Sequence, residues 1–93
     1  MNATPIYAGI EGGGTKYVCA LSYGRSPELI SRASFPTLND PNATLGACIA
    51  WLKEQQAAHG NIAAIGVGSF GPIELNKASP EYGRVTTTPK PGW

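Results

Sequence analysis

The apolar and polar positions along the chain predict four strands and one helix. Three short runs rich in apolar, β-branched and aromatic residues cover residues 6–10, 17–23 and 29–35, and glycine or proline stands in the segment after each of them. Because a glycine-rich turn joins the first two runs and residues 24–27 form a turn before the third, we expect a three-stranded meander. A fourth compact apolar run, residues 62–67, has the length of a further strand.

The predicted helix lies between the third and fourth strands. Asp40 can cap its first turn, Pro41 is tolerated at the first helical position, and Gly60 after His59 is a typical stop. One buried helical face is expected from the i, i+3, i+4, i+7 spacing of Leu45, Cys48, Ile49 and Leu52. The order strand, strand, strand, helix, strand indicates a mixed α/β sheet, not a uniform doubly wound one.

Composition and charge exclude several classes of partner. The chain has 93 residues and a net charge of +1, and its seven basic residues are spread out, so neither a nucleic-acid surface nor a membrane-binding face is expected. Residues 1–5 lack the features of a signal peptide, which makes the cytoplasm the expected compartment. Cys19 in a strand and Cys48 on the inner helix face are expected to be reduced and buried.

The turn between the first two strands has the composition of an anion site. Its three consecutive glycines cost conformational entropy, which indicates that the backbone approaches another group closely. Glycine N–H groups can surround an anion, to which Thr15 adds a hydroxyl and Lys16 a positive charge. Glu11 beside such a site predicts an intervening cation, and magnesium held mostly through water is the usual one. The alternative is a plain hairpin in which Glu11 and Lys16 are solvated.

Two other glycine motifs are excluded by their context. Residues 9–16 resemble a P-loop, but that motif needs Lys before Ser or Thr and a helix afterwards, whereas here Thr15 precedes Lys16 and a strand-like run follows. Residues 66–71 match the dinucleotide fingerprint G-x-G-x-x-G. Pro72 follows it at once, however, and no acidic residue stands near position 90, so we interpret this match as accidental.

Residues 9–16, Gly-Ile-Glu-Gly-Gly-Gly-Thr-Lys, resemble the first phosphate motif of the ROK family of bacterial sugar kinases. Glu11, in place of that family's more common Asp, is typical of its fructokinase branch. Two later segments are similar as well: residues 65–72 read Ile-Gly-Val-Gly-Ser-Phe-Gly-Pro, and residues 86–93 read Thr-Thr-Thr-Pro-Lys-Pro-Gly-Trp. The resemblance therefore runs in order from the first strand to the last residue.

This resemblance implies a fold, a ligand set and site residues. The fold would be the ribonuclease-H-like α/β sheet of the actin and hexokinase-like ATPases, with residues 1–93 as the N-terminal part of the nucleotide-binding lobe and the second lobe absent. ATP would be bound by the phosphate motif, which consists of Glu11, Gly12, Gly13, Gly14, Thr15 and Lys16. Mg²⁺ would be held through water by Glu11. The sugar cleft would be bordered by Ser69, Gly71, Pro72, Thr88 and Lys90.

The resemblance also implies what lies outside the chain. The aspartate that acts as general base would follow Trp93, as would the family's structural Zn²⁺ cluster, so no catalytic residue is expected within residues 1–93. The complete enzyme is expected to be a homodimer. We therefore expect the chain by itself to be inactive.

The function that follows for the complete enzyme is ATP-dependent phosphorylation of a hexose, with fructose to fructose 6-phosphate as first choice. The alternatives are a kinase of another hexose, such as glucose, mannose or an N-acetylhexosamine, and a non-catalytic sugar-binding regulator of the same fold. Regulators of the resembling family carry a DNA-binding segment ahead of the kinase-like lobe, whereas the first predicted strand begins here at residue 6. The expected partners are thus a nucleotide and a small sugar.

Overall fold

The computed structural model describes residues 4–26 and 28–93, and its elements follow the predicted order. The elements are β1 (Ile6–Gly12), β2 (Lys16–Tyr23), β3 (Leu29–Pro36), α1 (Pro41–His59) and β4 (Ile62–Ser69). Pro27, the last residue of the predicted turn at 24–27, lies outside the described residues, as do residues 1–3 of the segment considered for a signal peptide. No helix in the described part is long and apolar enough to cross a membrane.

The four strands form one mixed sheet in the order β3-β2-β1-β4. The first three strands are the predicted antiparallel meander, and β4 lies parallel to β1 after the chain has crossed over through α1. A parallel neighbour needs such a crossover because its start must return to the same end of the sheet. This arrangement confirms the mixed α/β sheet.

Both ends of α1 are capped as the sequence predicts. The Asp40 carboxylate accepts hydrogen bonds from the N–H groups of Asn42 at 2.9 Å and Ala43 at 3.4 Å, two of the donors that a helix start leaves unpaired. At the other end Gly60 has a φ of 122°, and its N–H donates to the carbonyl of Gln56. Glycine suits this position because other residues rarely adopt a positive φ.

The predicted buried face of α1 is partly wrong. Cys48 and Leu52 are buried, but Leu45 and Ile49 remain 38% and 51% exposed, and Thr44 is buried instead. The reason is the position of the helix, which packs mainly over β2 and β3. It leaves β4 uncovered, and the side of α1 that is nearest to β4 is therefore exposed as well. The apolar stripe of α1 is therefore wider than the part of the sheet that covers it.

The core between helix and sheet consists of two adjoining clusters. One is aliphatic and lies towards the C-terminal half of α1; its buried members are Ile6, Ala8, Leu21 and Leu52. The other lies nearer the glycine turn and contains Tyr17, Cys19 and Cys48, with Phe70 and Trp93 packed against it. Both cysteines are unbridged and fully buried, as predicted.

Tyr17 packs across the backbone of Gly12, its partner in the β1–β2 hairpin. A Cβ atom on Gly12 would overlap the Tyr17 ring, and that ring cannot move aside freely because it is 2% exposed and stacked on Trp93 with centroids 5.6 Å apart. The first of the three glycines is therefore required by packing within the protein. The close neighbour of this glycine within the protein is an aromatic ring.

Gly12→Ala should lower the free energy of unfolding by about 1–3 kcal/mol, because the added methyl group overpacks a site with no room. Gly9→Ala is the matched control, since a Cβ on this other glycine of β1 meets nothing within 4 Å. The control should be neutral or slightly stabilising. Chemical denaturation of both variants measures the difference, and equal stabilities would contradict the packing role of Gly12.

Burial of Cys19 should make the protein sensitive to alkali. Burial, and after it the neighbouring Cys48 thiol, raises the pKa of the Cys19 thiol from 9.0 to about 12. In that window the unfolded chain gives up a proton that the native state retains, so the free energy of unfolding should fall as the pH rises from 9.0 towards 12. Cys19→Ala should show a shallower fall in the same titration, and parallel curves for the two proteins would refute the assignment.

Candidate functional site

The glycine turn connects β1 and β2 through residues 13–15, and the carbonyl groups of Gly13 and Thr15 accept hydrogen bonds from within the protein. The Gly13 N–H donates to the Lys16 carbonyl at 2.9 Å, which closes the turn. Thr37, one residue beyond β3, supplies two more donors: its hydroxyl bonds to the Gly13 carbonyl at 2.7 Å and its N–H to the Thr15 carbonyl at 2.9 Å. The carbonyl oxygens of Gly13, Thr15 and Lys16 are thus all occupied.

The N–H groups at the tip of the turn, unlike these carbonyl groups, have no hydrogen-bond partner among the described residues. Within residues 4–26 and 28–93, the N–H groups of Gly14 and Thr15 donate to no protein acceptor. A Cβ on Gly14 would meet nothing within 4 Å, so the backbone is open at this point. Two adjacent exposed donors on an open glycine turn are the arrangement that binds an oxyanion.

A cleft of about 370 Å³ opens beside the turn on the sheet face that points away from α1. Its lining comprises the whole predicted phosphate motif and two residues from the neighbouring strands: Glu11, Gly12, Gly13, Gly14, Thr15, Lys16, Val18 and Arg32. The structure therefore brings together all six residues predicted for the nucleotide.

Arg32 is a cleft residue that the sequence analysis missed. It lies on β3 opposite Ala20 of β2, and its side chain reaches the same cleft as Glu11 and Lys16. The one ion pair in the described part of the chain joins Arg84 and Glu81, so Glu11 neutralises neither cation by direct contact. Two positive side chains against one carboxylate favour a polyanion. The sequence signal was a single basic residue in β3, which acquires meaning only once the strand register is known.

One residue of the cleft, Glu11, could hold a metal ion. Glu11 is the single carboxylate of the cleft and is exposed to solvent. The described residues contain no group of three or more histidine, cysteine, aspartate or glutamate side chains that could enclose a metal. One carboxylate together with substrate phosphates is the ligand set that Mg²⁺ usually takes in phosphotransfer sites.

The residues predicted to border the sugar lie at the end of β4 and in the segment after it, which contains no helix or long strand. Ser69 ends β4, and its hydroxyl donates to the Phe70 carbonyl. Pro72 is tied to Thr86, which donates both its N–H and its hydroxyl to the Pro72 carbonyl. Thr88 accepts a hydrogen bond from the Lys90 N–H at 3.2 Å. The fifth residue, Gly71, precedes Pro72.

These five residues do not line one common cleft. A second cleft, of about 500 Å³, lies on the face of the sheet that carries α1 and includes Ser69, Val67 and Trp93, but not the other four predicted sugar residues. The two clefts are on opposite faces of the sheet. In β2, Lys16 and Val18 line the first cleft and Tyr17 between them lines the second, because neighbouring residues of a strand point to opposite sides of a sheet. Neither of these two clefts therefore brings the five predicted sugar residues together, whereas the phosphate cleft contains the whole phosphate motif.

The sequence and fold of the chain agree with one family of proteins. The ROK family profile matches residues 7–93. The chain belongs to the ROK family. Its fold is similar to that of the ROK family glucokinase from Streptomyces griseus, whose structure was solved in complex with glucose and AMPPNP; the TM-score is 0.70 at 19% identity, over 95% of this chain and 26% of that one. The expected ribonuclease-H-like sheet is thereby confirmed.

Several relatives of the chain are named fructokinases. The chain is 39% identical over 88 residues to the fructokinase of Streptococcus mutans and 44% identical over 89 residues to a putative fructokinase of Bacillus subtilis. In both comparisons 95% of the chain is covered, but it spans only 28% and 27% of those relatives. The chain therefore spans only part of the length of these relatives.

Arg32→Gln should weaken the binding of inorganic tripolyphosphate to this protein by roughly tenfold, because a charge-assisted contact to the anion is lost. Arg25→Gln is the matched control, since Arg25 is exposed in the turn after β2, at the far end of the sheet. Titration calorimetry at low ionic strength measures both variants. Equal losses in the two would mean that Arg32 acts only through net charge.

Proposed function

We propose that the chain is the first part of the nucleotide-binding lobe of an ATP-dependent hexose kinase, with fructose as the substrate. One observation carries the proposal: unpaired N–H groups at Gly14 and Thr15 open into a cleft that also holds Lys16 and Arg32. Membership of the ROK family supports it, as do the 39% identity to the fructokinase of Streptococcus mutans and the 44% identity to the putative fructokinase of Bacillus subtilis. The rest of the enzyme would be supplied by polypeptide beyond Trp93.

The residues of the cleft have a simple task in this reaction. In phosphoryl transfer the moving group has little bonding to either oxygen in the transition state, so the protein mainly positions the reactants and offsets negative charge. The N–H groups of Gly14 and Thr15 would hold phosphate oxygens, and Lys16 and Arg32 would offset their charge. Glu11 would bind magnesium through water, and the metal would screen the phosphates from that carboxylate.

The general base would lie outside residues 1–93. The cleft contains one carboxylate, Glu11, and its place beside the phosphates is assigned to the metal. A base must reach the hydroxyl proton of the sugar, and none of the predicted sugar residues lines the cleft that contains Glu11. An aspartate from the rest of the enzyme would therefore complete the site, as would most contacts that select the sugar.

The choice of fructose as the substrate is based on the relatives named fructokinase. The similar glucokinase structure, by contrast, was solved in complex with glucose. The test is a coupled assay of the full-length protein containing this chain, with ATP, magnesium and a panel of fructose, glucose, mannose and N-acetylglucosamine. Fructose should give the highest kcat/KM. A higher value for another hexose would replace the substrate, and no phosphorylation of any sugar would refute the kinase. The same assay is also run on purified residues 1–93, for which no turnover is expected.

Lys16→Ala in the full-length protein should lower kcat/KM for ATP by at least about tenfold, or about 1.4 kcal/mol of transition-state stabilisation. The reason is the loss of a positive charge beside the phosphates. Lys53→Ala is the matched control, because Lys53 is exposed on α1 and lines neither cleft. An unchanged rate for Lys16→Ala would remove Lys16 from the site.

A further inference from the structure

Thr37 lies directly behind the glycine turn and is outside the residues that line the phosphate cleft. It is 6% exposed, although it follows the exposed Pro36 in the connection between β3 and α1. Its hydroxyl donates to the Gly13 carbonyl at 2.7 Å and its N–H to the Thr15 carbonyl at 2.9 Å. One buried residue thus holds two carbonyl groups of the turn from within the protein, whereas Gly14 is exposed and lines the cleft.

The first of these bonds fixes the direction of the Gly14 N–H group. The Gly13 carbonyl and the Gly14 N–H belong to one peptide unit, which is planar and trans. In a trans peptide the carbonyl and the N–H point in opposite directions. When the Thr37 hydroxyl holds the Gly13 carbonyl on its own side, the Gly14 N–H must point away from Thr37, towards the cleft.

The same bonds keep carbonyl oxygens away from an incoming anion. A turn of consecutive glycines has many accessible backbone conformations, and rotation of the Gly13–Gly14 peptide would place an oxygen where the N–H now lies. An oxygen there would repel phosphate, whereas the N–H attracts it. The Thr37 hydroxyl therefore stabilises the orientation of this peptide that is competent to bind phosphate.

Thr37 is itself held in place. The adjacent Leu38 donates its N–H to the Thr44 hydroxyl at 2.9 Å, and its carbonyl accepts a hydrogen bond from the Trp93 indole at 2.7 Å. These contacts connect the segment that carries Thr37 to the start of α1 and to the end of the chain. A group that orients a binding site needs such support, because a mobile donor would not select one orientation of the turn.

We propose that Thr37 is a positioning residue of the nucleotide site: its hydroxyl orients the Gly13–Gly14 peptide so that the Gly14 N–H is presented to a phosphate oxygen. The inference rests on the proposed ATP site and adds a residue that does not touch the nucleotide. Its effect should fall on ATP and not on the sugar.

Thr37→Val removes the hydroxyl while keeping the shape and the backbone N–H, and Thr37→Ser restores a hydroxyl. In the full-length protein, Thr37→Val should raise the KM for ATP at least about tenfold, whereas the KM for the sugar changes less than about twofold. Thr37→Ser should stay within about threefold of wild type for ATP. Equal effects on both substrates, or a fall in kcat alone, would mean a general structural role and would overturn the proposal.

Direct binding separates this inference from the proposed reaction. The dissociation constant of ATP, measured by calorimetry without sugar, should rise at least about tenfold in Thr37→Val even if the wild type phosphorylates no hexose in the panel. That result would support the positioning role of Thr37 and refute the proposed kinase activity. A wild-type protein that binds no ATP would overturn both.

A measurement on the wild type covers the case in which Thr37→Val does not fold. With glycine-selective ¹⁵N labelling, the amide resonance of Gly14, identified by its loss in Gly14→Ala, should move downfield when AMPPNP is added. The resonance of Gly46, a glycine on α1 outside the cleft, should remain in place. A Gly14 resonance that does not move at saturating AMPPNP would overturn the proposal.

Discussion

The contact between the Tyr17 ring and the backbone of Gly12 organises the region around the phosphate turn. The ring lies beside the turn, near the start of β2, and stacks on Trp93 at an interplanar angle of 21°. Phe70 packs edge-on against Trp93 and donates its N–H to the Gly12 carbonyl at 2.8 Å. The hairpin, the end of β4 and the end of the chain therefore meet beneath the turn, which gives the open tip a rigid base.

The two faces of the sheet have different chemical roles. The face towards α1 carries the apolar core, and its aromatic cluster buries Tyr17 so far that the pKa of the phenol is raised. The opposite face carries Glu11, Lys16 and Arg32 around the cleft, where solvent reaches charged groups. Strand alternation separates the two environments, so the hairpin that anchors the core also exposes the donors of the cleft.

The helix leaves β4 uncovered. It packs on β2 and β3, whereas β4 lies at the edge with Val67 65% exposed and Ile65 49% exposed. Ile49 adds exposed apolar surface on the neighbouring flank of α1. Further elements of a larger lobe would cover such a surface, which agrees with the proposal that residues 1–93 are part of a longer kinase and with the share of its relatives that the chain spans.

The sequence by itself determined the elements, their order and the composition of the phosphate turn. Periodicity located the strands and the helix, and Asp40 and Gly60 marked the helix ends, because these signals act between residues close along the chain. The six residues of the phosphate motif are contiguous, so the turn brings them together without help from distant segments.

Tertiary structure alone decided which distant residues join that turn. Arg32 reaches the cleft through the register of β3 on β2, and Thr37 reaches the turn because the chain passes behind it after β3. The placement of α1 over β2 and β3 likewise left Leu45 exposed. A period of apolar residues specifies that a face exists, but the extent to which it is buried depends on what packs against it.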